Sequence, residues 1–193
     1  CVSWGSVRCP ARANQLHCET RIALVCNRRG LRATRSSRPA TWAEAVGLPS
    51  IAREPFLSRH DPIASIGPGF LLLVGFGNGD GSEELIWMAR KISGLRVFSD
   101  ENGQMNNSIQ HTNGEILAVS QFTLYGDCRK GRRPSFVDAL DPTEANQLFE
   151  EFLQQLSAQG VDRVEKGKFG ADMDVQLVND GPVTLWLARE PGD

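Results

Sequence analysis

The sequence predicts an α+β fold: a mixed or antiparallel sheet that curls into a barrel-like subunit and carries two helices. Three observations predict it. Short apolar runs bounded by turn residues recur along the chain. Two segments have helical spacing with capping residues at their starts. Strands outnumber helices without a repeating βα pattern, which argues for α+β over a doubly wound sheet.

The strands and helices follow in order from Pro62. "SIGPGFLLLVGFGNGD" reads as a turn, a buried strand from Phe70 to Phe76, and a polar loop. Its glycines are no nucleotide fingerprint, because no helix of suitable spacing follows. Ser82 is the expected N-cap of the first helix, with Glu83 and Glu84 in its opening turn. Leu85, Met88, Ala89 and Ile92 form its apolar stripe, and Gly94 is a natural stop. "LRVFSDENGQMNNSI" predicts two short strands around a turn at Asp100–Gly103. Residues 115–124, "EILAVSQFTL", predict another strand. The second helix has Asp141 as N-cap, Pro142 at N1 and Glu144 at N3. Leu148, Phe149, Phe152, Leu153 and Leu156 give it one apolar face, and Gly160 ends it. "MDVQLVND" and "VTLWLA" predict a final hairpin through Asp180-Gly181-Pro182.

The first sixty residues differ in character. They hold ten arginines, no lysine and three acids, a net charge of +7 against −9 for the remainder. The expected division is therefore an atypical Arg-rich segment at 1–61 and a domain at 62–189. The segment reads as a transit peptide, a disordered basic extension, or a stretch unrelated to the fold, and arginine without lysine favours the last. Its one helical pattern is "ATWAEAVGL". Cys1, Cys9, Cys18 and Cys26 fit no short zinc-hairpin spacing, and His17, His60 and His111 do not complete one. No metal is expected. A single cysteine in the main body, Cys128, fits a reducing compartment. No apolar run approaches the roughly 20 residues that span a bilayer, so no membrane partner is expected.

The richest chemistry lies in "SQFTLYGDCRKGRRPSF", residues 120–136. On a strand, Gln121 and Thr123 would share one face and Ser120 and Phe122 the other. Gln can donate to a developing oxyanion, and Thr can donate, accept or attack. No histidine lies near in sequence to serve as base, so a Ser/His/Asp triad is poorly supported. Arg129, Lys130, Arg132 and Arg133 suit phosphate, although a run of charge is more often a solvated loop. Phe136 reads either as a stacking surface or as core. "FGADM" at 169–173 sets Gly170 and Ala171 where a ligand approaches or a tight turn forms.

Four segments together resemble the D-aminoacyl-tRNA deacylases: "GPGFLLLVGF", "GLRVFSDENGQMNNSI", "AVSQFTLYGDCRKGRRPSF" and "GKFGADMDVQLVNDGPVTLWL". The resemblance covers about residues 62–187. It implies a homodimer of barrel-like subunits without a cofactor, acting in the cytoplasm on the aminoacylated 3′ end of tRNA. It implies hydrolysis of the ester that joins a D-amino acid to the terminal adenosine, and removal of glycine from mischarged tRNA. Ser120, Gln121 and Thr123 match the family's SQxT motif, with Thr123 at the position proposed as nucleophile. Gly181 and Pro182 match a Gly-cis-Pro pair that reaches across the dimer and rejects L-amino acids. Phe122 falls within the same motif. Phe169, Gly170, Ala171 and Met173 are implied to help hold the terminal adenosine. The resemblance further implies that the substrate's 2′-hydroxyl helps activate water, which accounts for the missing base.

The chain departs from the family pattern at its start. The usual opening strands, of the type "MRAVVQRV", are not matched before about Pro62, so the domain is expected to lack them. Gln104 replaces a basic residue of the "KMN" segment. An active deacylase is the leading expectation. The alternative is a non-catalytic tRNA-binding or dimerisation remnant disabled by its altered N-terminus, and an organelle-targeted form is a third.

Overall fold

The computed structural model of the chain describes residues 20–27, 31–35, 62–179 and 183–189. In chain order the strands are β1 (Arg21–Asn27), β2 (Leu31–Arg35), β3 (Ala64–Ile66), β4 (Gly69–Gly75), β5 (Phe98–Ser99) and β6 (Met105–Asn107). They continue as β7 (Glu115–Ser120), β8 (Val164–Lys166), β9 (Met173–Gln176) and β10 (Thr184–Ala188). Helix α1 (Ser82–Gly94) lies between β4 and β5, and α2 (Pro142–Ala158) lies between β7 and β8.

The main sheet runs β10-β1-β4-β7-β8, and a smaller sheet runs β3-β2-β9. The β10, β1 and β4 neighbours pair antiparallel, whereas β4, β7 and β8 pair in parallel, so the main sheet is mixed. The parallel pairings require long connections, and α1 and α2 lie within them. Alternation along the strands divides the core in two. Ile22, Leu24, Phe70, Leu72, Ile116 and Ala118 point to the helices, where they meet Leu85, Met88, Phe149 and Phe152. Leu71, Leu117 and Val119 point the other way, onto Ala33, Ala64 and Ile66 around the small sheet.

The structure corrects several expectations. Residues 21–27 and 31–35 were expected to lie outside the fold, yet β1 sits inside the main sheet, paired on both sides. Its alternation of buried Ile22, Leu24 and Cys26 with half-buried Arg21, Ala23 and Val25 is the signature of an internal strand. Six arginines between residues 21 and 38 masked that short pattern in the composition. The "ATWAEAVGL" pattern lies outside the described residues.

The cap of α1 is Gly81 rather than Ser82, because Glu84 accepts the Gly81 N–H at 3.0 Å and makes a hydroxyl unnecessary. Asp141 caps α2 as expected, accepting from Thr143 N–H at 2.8 Å with Pro142 at N1. The predicted final hairpin does not form. β9 pairs with β2 and β10 pairs with β1, in different sheets. Two strands, β3 and β8, carry only three residues each and gave too short a pattern to be read. Among the described residues no helix is long and apolar enough to cross a membrane.

Candidate active site

Strand β7 ends at Ser120, not at Leu124, and Phe122–Tyr125 form a 3-10 turn. The alternation argument for Gln121 and Thr123 therefore fails, but the turn unites the pair by another route. A 3-10 turn brings residues two and three apart together, and the Gln121 side-chain amide donates to Thr123 Oγ1. Gln121 N–H donates to Val74 O at 2.7 Å, which fixes the turn to the end of β4. That approach needs Gly75: a Cβ there would stand 2.9 Å from Gln121 O and 3.2 Å from the Tyr125 ring.

The turn borders a cleft of about 700 Å³. Its floor is the sheet face with Leu73, Val119 and Val175. Ser120, Gln121 and Phe122 form one side, and Phe169, Gly170, Ala171 and Met173 form another. Those seven residues, widely separated in sequence, were all predicted and now share one cavity. Thr123 does not line it; the residue is exposed and accepts from the Gln121 amide. Gly170 has φ +67°, so the turn reading of "FGADM" holds, while the same segment also walls the cleft. Met173 is fixed by Lys168 N–H, which donates to its sulfur at 3.3 Å. Phe169 is fixed by Phe149 of α2, with ring centroids 6.1 Å apart.

Several cleft residues were not singled out as site residues. Phe136, Leu140, Asp141 and Pro142 close the remaining side, so the start of α2 faces the cleft. Asp141 and Pro142 were legible as a cap, but nothing in their local pattern says what the cap faces. Phe136 packs edge-on against Phe122 at 5.1 Å, and Phe122 remains 59% exposed. Together they form an aromatic rim. Asp172, inside the FGADM segment but not named as a site residue, also lines the cleft.

The basic residues divide unequally. Arg129 makes two side-chain bonds to Asp127, each 2.8 Å long, and its own N–H donates to the same carboxylate. Those bonds hold the Asp127 carboxyl at about 2, well below the usual range. Asp127 and Ser135 also exchange backbone bonds that pinch the loop. Lys130, Arg132 and Arg133 project from it, exposed. Gly181 and Pro182 lie outside the described residues.

Among the described residues no triad is assembled. His111 bonds Ser108 Oγ at 2.7 Å in the turn before β7, and neither residue lines the cleft. Asp141 spends its side chain on the helix cap. The cleft thus offers an apolar floor, a hydroxyl, an amide and an aromatic rim, which suits binding and carbonyl polarisation more than side-chain nucleophilic attack. No group of three or more metal-ligating side chains gathers among the described residues.

Comparison with known proteins bears on what this cleft serves. The family model described as D-Tyr-tRNA(Tyr) deacylase matches residues 57–188. A D-aminoacyl-tRNA deacylase of Exiguobacterium sibiricum is 58% identical over 124 residues, which cover 64% of this chain and 85% of the relative. One from Thermotoga petrophila is 53% identical over 125 residues, covering 65% and 83%. Among solved structures, one described as a c-Myc DNA unwinding element binding protein superposes with a TM-score of 0.70 at 32% identity, covering 86% of this chain and 97% of that one. A probable eukaryotic D-amino acid tRNA deacylase superposes with a TM-score of 0.65 at 17% identity, a likeness of fold; the match covers 89% of this chain and 100% of that one.

Proposed function

The chain belongs to the D-Tyr-tRNA(Tyr) deacylase family, and on that premise we propose how its cleft performs the reaction. The activity is D-aminoacyl-tRNA deacylation, an ester hydrolysis that serves proofreading in translation. The observation that carries the site assignment is the convergence of Ser120–Phe122 and Phe169–Met173 on one cleft.

In this reading the aminoacyl ester lies against the Gln121 turn, and the terminal adenosine against Phe169–Met173. Gln121 donates to Thr123 Oγ1, so the Thr123 hydroxyl acts as an acceptor that orients the amide. Water attacks the ester carbonyl. The oxyanion that develops is stabilised by donors at the turn, and the ribose 3′-oxygen leaves with a proton. The substrate's own 2′-hydroxyl supplies the polar group that helps activate the water, since none of the described residues lining the cleft is histidine. Catalysis rests on positioning.

Rejection of L-amino acids falls to Gly181-Pro182 of a second subunit, reaching into the cleft of the first. A rigid backbone wall excludes by shape, where an apolar pocket would discriminate only weakly. Small size lets glycine enter the same site. The two sheets form the barrel-like subunit of a homodimer. Lys130, Arg132 and Arg133 supply phosphate contacts to tRNA, while Arg129 is committed to Asp127.

The test is direct. Purified chain is incubated with D-Tyr-tRNA and L-Tyr-tRNA, and release of amino acid is followed alongside light scattering for the dimer. D-Tyr should be released and L-Tyr spared. Equal rates on both substrates from a confirmed dimer would overturn the chiral assignment. tRNA binding without turnover would support the non-catalytic alternative.

A further inference from the structure

We propose that Arg21, Tyr125 and Asp80 are positioning residues for the deacylation, clamping the 3-10 turn that presents Gln121 to the substrate. The proposal rests on the deacylase reading above. None of the three lines the cleft, so they act through the turn.

The clamp has three parts. Tyr125 is the last residue of the turn and is only 2% exposed. Its ring lies in a slot that two glycines leave open: a Cβ on Gly77 would stand 2.7 Å from its hydroxyl, and one on Gly75 would stand 3.2 Å from its edge. Arg21 grips the turn from the head of β1. Its Nη1 donates to Leu124 O at 3.2 Å, and its guanidinium carbon stands 4.5 Å from the Tyr125 ring centroid. Two successive residues of the turn are thereby tied to a central strand. Asp80 closes the underside. Its Oδ2 accepts from Gly77 N–H at 2.8 Å, while Oδ1 is buried with the hydroxyls of Thr20 and Tyr125 near it.

The charge on Asp80 is what separates a functional clamp from a merely structural one. The hydroxyls of Thr20 and Tyr125 approach the carboxyl, and the carboxylate of Glu84 faces it from α1. Burial pushes its pKa up to about 6, with Glu84 adding to the rise and Gly77 and the two hydroxyls opposing it. A neutral amide would fill the same space without that cost. An ionised carboxylate, however, only accepts, and so turns both hydroxyls toward itself. A protonated one competes as a donor and releases them. The working form is therefore the ionised one.

The experiment compares wild type and Asp80→Asn by single-turnover hydrolysis of D-Tyr-tRNA between pH 5 and pH 8. The ratio of their rates cancels titration of the substrate's amine. The expected ratio is about tenfold at pH 8, shrinking towards unity at pH 5, with tRNA affinity unchanged. Tyr125→Phe and Arg21→Lys should each lower kcat by about fivefold while KM and melting temperature hold. A ratio that does not change with pH, or wild-type kcat in both conservative variants, overturns the proposal. A wild-type chain inactive at every pH would instead remove the deacylase reading on which it rests.

Discussion

The turn at 121–125 and the loop at 127–135 are neighbours in sequence but are built in opposite ways. The turn is held by packing. Two glycines admit a buried tyrosine ring, the Arg21 side chain joins it to β1, and a backbone bond joins it to β4. The loop is held by an exposed ion pair and one pair of backbone bonds, with three cations in solvent. The contrast teaches that geometry here comes from close contact and affinity from solvated charge. Packed groups cannot shift by tenths of an ångström without cost. Exposed charges tolerate large shifts but are screened by salt.

The comparison is broken most severely at Gly77. Gly77→Ala drives a Cβ into the Tyr125 ring, so it should lower stability by about 1–3 kcal/mol and catalysis by about 100-fold. Thermal melts and kcat/KM on D-Tyr-tRNA check both. Next is Asp80. Its folded pKa, about 6, lies above the ordinary 3.8. Its stabilising contribution is therefore complete below about pH 4 and lost as pH rises through about 6, a change on the order of 3 kcal/mol. Denaturant titrations at pH 5 and pH 7.5 should show roughly half of that loss, about 1.4 kcal/mol, and Asp80→Asn should flatten it. The variant would then be more stable at neutral pH yet less active, a trade common at functional sites.

Gln121→Ala should cost about 100-fold in kcat without a change in melting temperature, because the side chain donates at the cleft and supports little packing. On the loop, effects are smaller and of another kind. Lys130→Ala, Arg132→Ala and Arg133→Ala should each weaken tRNA binding by about 1 kcal/mol and reduce the salt slope by about one, leaving kcat intact. Binding isotherms at several salt concentrations test this; a loss of kcat at saturating tRNA would erase the distinction between the two regions. Least affected is Asp127→Asn. The carboxyl is exposed and depressed to about 2, so its contribution persists above about pH 4 and is lost as pH falls through 2. At neutral pH the variant should melt only slightly below wild type, because an exposed ion pair contributes little. Faster amide exchange at Arg129 would report the looser loop.

Local pattern made much of the fold legible. The Asp141-Pro142 start of α2 could be read because a cap is a matter of adjacent residues. The stripe of α1 and the apolar run of β4 followed from periodicity for the same reason. β1 was missed because seven residues of alternation sat among arginines whose composition spoke louder. The end of β7 was misplaced because Phe122 and Leu124 carry the alternation of its sequence on into a turn for which glycines on and just after another strand make room.

The sequence by itself determined the helices, the central strands and the residue types at the site, since each depends on neighbours along the chain. Tertiary structure alone decided that Ser120–Phe122, Phe169–Met173 and the start of α2 share a cleft. It alone decided that Thr123 stands behind Gln121, that β9 and β10 belong to different sheets, and that a carboxylate is buried behind the site turn. The physical reason is one of range. Capping and periodicity act over three or four residues, whereas close approach and desolvation depend on which distant segments meet, and no local pattern encodes that meeting.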